Sequence, residues 1–267
     1  MIQINMNECP TCGCTLIPPT NVRMANHPQE RDALEARYKE AVETAKSNGA
    51  NGKLEEMEAM LAGAHAVVSM DLLFLNSMLT SSKLLYTSYK NQVDAGIRKP
   101  AEHENDRDRI VAEGQLYGSN GGKIFYAELS PDGTGLSSYG EFAVTLREVA
   151  IAHRASLLEQ NSFNFKDKSL PLGYRSVWEE RIKLGVAKLA SGLHPGISKQ
   201  EVNKLILKSE GDRATDEFIE IHIFGSFDNR AISKIVGPNP SKAKKSKGLL
   251  SAIKEEAEKL GIEYQNV

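Results

Sequence analysis

Apolar residues recur at three- and four-residue steps through the first third of the chain. The stripe running from Leu54 through Met57, Leu61, Ala64, Val68, Leu72 and Leu75 to Leu79 predicts one long helix over residues 53–91. Upstream, Pro28 opens a run of strong helix formers that predicts an exposed helix to about Ser47. Asn48-Gly49-Ala50-Asn51-Gly52 supplies the turn between the two. Past residue 100 the pattern changes to short β-rich runs separated by glycine turns. Residues 110–112, 123–129 and 142–146 read as strands, and 131–135 (PDGTG) as a turn. Amphipathic periodicity returns over 176–193, 198–209 and 249–260, the last closed by Gly261. Between these helices lies Phe218-Ile-Glu-Ile-His-Ile-Phe224, whose alternation puts Glu220 and His222 on one face and three isoleucines on the other.

The elements predict an α+β protein. A short cysteine segment (1–28) is followed by a helical region (29–100) and a mixed α and β domain (101–267). A chain of 267 residues is long enough to bury a sizeable core. With 33 basic and 35 acidic residues, bulk charge does not hold it to nucleic acid. The longest apolar stretch, 66–79, is broken by Ser69, Asp71, Asn76 and Ser77, so no membrane span is expected. The N-terminal ten residues lack a basic region followed by an apolar one, which makes the cytoplasm the expected compartment.

All three cysteines fall within six residues, Cys9, Cys12 and Cys14, a poor disulfide framework. A C-x2-C turn lets two thiolates meet one tetrahedral ion, and His27 is the nearest fourth ligand for a structural zinc. The competing reading is a reduced thiol cluster. Gly118-Ser119-Asn120-Gly121-Gly122-Lys123 departs from a P-loop, because its spacing is G-x3-G-K and Ile124 follows. It reads either as a hairpin turn or as a turn whose amides approach a ligand. Glu220 and His222 either face solvent or line a cleft in which a fixed negative charge is needed.

The order of several segments narrows these alternatives. Ser138-Tyr139-Gly140 leads into the strand at 142–146, followed by His153-Arg154-Ala155-Ser156, then Gln160-Asn161-Ser162-Phe163, and finally Phe218-Ile219-Glu220-Ile221-His222. This order over residues 108–265 resembles bacterial toxin-like domains related to the ADP-ribosyltransferases. His222 stands where that group has glutamine, and Arg109 is the nearest match to its first-strand basic residue. The resemblance implies an ADP-ribosyltransferase-like β-sandwich domain with flanking helices that takes NAD as substrate. It makes Glu220 the catalytic carboxylate beside a ribose that becomes cationic as nicotinamide leaves. Ser137 and Ser138 would hold the ribose or the glutamate, and Tyr139 would stack on nicotinamide. Arg154, Arg109 and the amides around Gly118, Ser119 and Asn120 would meet the pyrophosphate.

The same resemblance implies an intracellular toxin of toxin–antitoxin or phage-defence type, with a neutralising partner. The cysteine turn and the lysines between Lys242 and Lys247 lean toward RNA or DNA, rather than protein, as the acceptor. Two other functions stay open: an NAD glycohydrolase of the same fold, and a non-catalytic zinc-containing module that binds nucleic acid or protein.

Overall fold

The computed structural model describes residues 17–100, 103–165, 169–213, 215–241 and 246–267, the side chains of 103–105 excepted. Helices α1 (Thr20–Ala25), α2 (Pro28–Ser47) and α3 (Asn51–Ala62) come first. Strand β1 (His65–Met70) separates them from α4 (Leu72–Thr80), α5 (Tyr89–Asp94) and α6 (His103–Tyr117). Then follow β2 (Ile124–Ser130), β3 (Phe142–Leu146), α7 (Glu148–Ile151), β4 (Ala155–Leu158) and β5 (Arg175–Val177). Helices α8 (Arg181–Leu189) and α9 (Lys199–Ile206) precede the short strands β6 (Leu207–Lys208) and β7 (Glu217–Phe218). The chain closes with β8 (Glu220–Phe224), β9 (Ile232–Gly237), α10 (Lys247–Lys259) and β10 (Glu263–Asn266).

Eight strands form one mixed sheet in the order β10-β9-β3-β1-β2-β8-β4-β5, and β6 pairs with β7. Every neighbouring pair in the large sheet is antiparallel except β10 with β9. The protein is thus α+β as expected, but the expected sandwich is a single large sheet. That sheet has two halves of four strands, joined through β1 and β2 by only three register pairs, His65–Ser130, Ala66–Leu129 and Val67–Glu128. Past Val67, β1 pairs with β3 alone and β2 with β8 alone.

The stripe over 53–91 is not one helix. It breaks into α3, β1, α4 and α5, and its middle is a central strand of the sheet. Consequently the division expected near residue 100 does not separate two cores. One apolar cluster joins Leu34 of α2 and Leu61 of α3 to Phe125 of β2, Leu184 of α8, Ile221 of β8 and Ile253 of α10. Residues 110–112, expected as a strand, lie within α6. The expected 176–193 helix begins as β5 and becomes α-helical only at Arg181. By contrast α2 and β3 match their expected spans, and α9 starts at a capping box in which Ser198 and Glu201 satisfy each other's backbone. Among the described residues no helix is long and apolar enough to cross a membrane.

Candidate active site

The two halves of the sheet part where the β1–β2 pairing stops, and a cavity of about 460 Å³ opens there. Val68 and Ser69 form one wall and residues 125–128 of β2 the other. That volume suits a small-molecule ligand.

Glu220 lies on this wall, only 6% exposed. A buried carboxylate needs donors. Ser162 donates its backbone N–H to Oε2 at 2.7 Å, and Nε2 of His222 lies 2.8 Å from the same oxygen. His222 is fully buried, with its Nδ1 against the hydroxyl of Tyr117, the last residue of α6. Asn21 of α1 then ties β4 to β8 by donating to the carbonyls of Arg154 and His222 and to the Ser156 hydroxyl. The carboxylate therefore sits at the end of a packed polar chain. Its position is rigid because three elements share it.

Two further carboxyls line the cavity. Glu128 of β2 is the register partner of Glu220 on β8, so both side chains leave the same face at adjoining positions. Burial pushes Glu128 up to about 7; the Ser69 hydroxyl and the Leu136 amide pull it down, and Glu220 adds to the rise. Ser69 donates to Glu128 Oε1 at 2.7 Å. Glu113 of α6 is likewise raised to about 7 by burial, with Arg109 and Tyr126 opposing the shift.

Cations on aromatic faces line the same cavity. Arg109 and Arg98 lie 4.4 and 5.1 Å from the Tyr89 ring centroid, and Arg213 lies 4.6 Å from that of Tyr139. All three arginines line the cavity, and among the described residues Nε of Arg109 is buried without a hydrogen-bond partner. Tyr139 reaches the cavity because Gly140 lies against the backbone of Met70. A Cβ there would stand 2.5 Å from the Met70 carbonyl, so only glycine permits the approach.

Of the residues singled out in the sequence, Glu220, Tyr139 and Arg109 meet at this cavity, together with Asn161 and Ser162. The others do not line it. Arg154 donates to the carbonyls of Ala150, Phe224 and Ser226, and burial pulls its guanidinium down. Its role is to clamp the end of β8. Gly118, Ser119 and Asn120 form a 3-10 turn after α6, where Asn120 donates to Thr20 and accepts from Lys123. Ser137 and Ser138 brace the neighbouring loop through Ser209 and Asp216. Cys9, Cys12 and Cys14 lie outside the described residues, as do Lys242, Lys244 and Lys245, while His27 is exposed just before α2. Among the described residues no group of three His, Cys, Asp or Glu is arranged to hold a metal ion.

Sequence reasoning missed Glu128, Glu113, Arg98 and Arg213. Glu128 shares the parity of Tyr126 on β2, a signal present in the sequence. Only the β2–β8 register places it beside Glu220. No family model matches the chain, and no curated protein matches it.

Proposed function

We propose that this cavity binds NAD and that the protein is an NAD-dependent ADP-ribosyltransferase. The observation that carries the reading is Glu220: a carboxylate fixed by two donors on a rigid strand at the wall of a ligand-sized cavity. Cleaving the bond between nicotinamide and ribose develops positive charge on the sugar. A carboxylate already in place stabilises that charge without reorganising in the transition state. Tyr139 offers a face for the nicotinamide, and Arg98, Arg109 and Arg213 offer positive charge to the pyrophosphate. These cavity arginines replace Arg154 and the 118–122 turn in that role. The resemblance to toxin-like domains further supports an intracellular bacterial toxin with a neutralising partner. RNA or DNA remains the favoured macromolecular acceptor on the same sequence grounds.

Labelled NAD tests the reading. The full chain is expected to release nicotinamide and to pass label to an acceptor. Glu220→Gln keeps the shape and removes the charge, and is expected to lower turnover on the order of 10²- to 10³-fold with the fold intact by circular dichroism. Undiminished turnover by that variant, or no nicotinamide release by the parent chain, would sink the proposal.

A further inference from the structure

We infer that Glu128 is the general base of this site, taking the proton from a hydroxyl nucleophile as that nucleophile bonds to the ribosyl carbon. The inference rests on the NAD reading above and adds the class of acceptor.

Glu128 and Glu220 are direct register partners and both line the one cavity. They are held differently. Glu220 has a histidine and a backbone amide on one oxygen. Glu128 receives the Ser69 hydroxyl from β1 at 2.7 Å and the Leu136 amide from the following loop at 3.3 Å. The charged group facing it from β8 is Glu220 itself. Across the cavity stand Glu113 and Arg109 of α6 and, from the 209–216 loop, Arg213. Two adjoining carboxyls do not both ionise cheaply. Burial and the Glu220 charge bring Glu128 to about 7, in the range where a side chain both takes and releases protons at working pH.

The step balances as follows. The C1′–N1 bond breaks and its electron pair stays on the nicotinamide nitrogen. A lone pair of the hydroxyl oxygen forms the new bond to C1′. The O–H proton passes to the Glu128 carboxylate and from there to solvent, so NAD and an alcohol give the ADP-ribosyl glycoside, nicotinamide and one proton. Glu220 takes no part in this proton transfer. A hydroxyl nucleophile must lose its proton as it bonds to carbon, and a carboxylate base on the cavity wall assists that loss.

The experiment uses the full chain with NAD, first in buffer, where water is the nucleophile, and then with added methanol. Nicotinamide release and the O-methyl product are followed between about pH 5 and 9. The rate is expected to rise with pH around a midpoint near 7. Glu128→Gln is expected to lower both products on the order of 10²-fold and to flatten the profile, with NAD affinity retained. Ser69→Ala removes a hydrogen bond that favours the carboxylate, so its midpoint is expected to move up. A merely structural Ser69 would not shift it, and this variant decides the matter if Glu128→Gln fails to fold. An unchanged pH profile in Glu128→Gln, or an unmoved midpoint in Ser69→Ala, overturns the inference while leaving the NAD reading standing. No turnover by the parent chain overturns both.

Discussion

Nε2 of His222 lies 2.8 Å from Oε2 of Glu220, and Nδ1 of the same ring meets the Tyr117 hydroxyl. The ring bridges the last residue of α6 and the carboxylate on β8. Each end of the ring thus has one defined partner, which fixes the orientation of Glu220 against the cavity.

Replacing His222 by Ala should expose this dependence. It removes one partner of the Tyr117 hydroxyl and leaves one Glu220 lone pair unsatisfied in the interior, at a cost of about 1–3 kcal/mol for the unsatisfied group. Thermal unfolding should show that loss. Turnover of NAD should fall through kcat more than through KM, because a loosened Glu220 affects the transition state first. Tyr117→Phe should reproduce the kinetic effect more mildly. Equal activity in both variants would show that the ring does not position the carboxylate.

Stability should fall as pH rises through the range in which Glu113 and Glu128 ionise. Both are raised from an ordinary 4.5 to about 7, chiefly by burial. Between those values the folded chain binds more protons than the unfolded one, so the free energy of unfolding declines with rising pH and levels off above about 7. The Glu113→Gln/Glu128→Gln double variant should lack this decline. At pH 8 it should be more stable than the parent by an amount on the order of 1–3 kcal/mol per site. Denaturant titrations at about pH 5 and 8 measure both quantities, and parallel curves for parent and variant would refute the assignment.

Arg154 and Arg109 should separate cleanly. Arg154 is committed to three backbone carbonyls at the end of β8. Its replacement by Ala should therefore cost stability, about 1–3 kcal/mol, without raising KM for NAD in the protein that remains folded. Arg109 lines the cavity with its Nε unpartnered, so Arg109→Ala should raise KM with little loss of melting temperature. The opposite pattern would return the pyrophosphate to Arg154.

Much of the secondary structure was legible along the chain. Pro28 and the helix formers after it marked α2, the run from Phe142 to Leu146 marked β3, and the isoleucine alternation marked β8. These signals are local, so the sequence carries them. The stripe from Leu54 to Leu79 misled because β1 is a central strand buried on both faces. Such a strand shows no polar–apolar alternation, and its Val68 falls into step with the helical positions of α3 and α4. Ile110 and Val111 misled for the converse reason: they are β-branched residues on the exposed side of α6.

The candidate site divides along the same line. Glu220 and Tyr139 stood out because a carboxylate among isoleucines and an aromatic-glycine pair are visible in single segments. Glu128, Glu113, Arg98 and Arg213 carry no such mark. They become site residues through the β2–β8 register, the docking of α6, and the parting of β1 from β2 beyond three pairs. Residue type and periodicity determine which elements form. Which side chains share a cavity depends on strand pairing between residues up to about a hundred positions apart, and that contact information exists only once the sheet has closed.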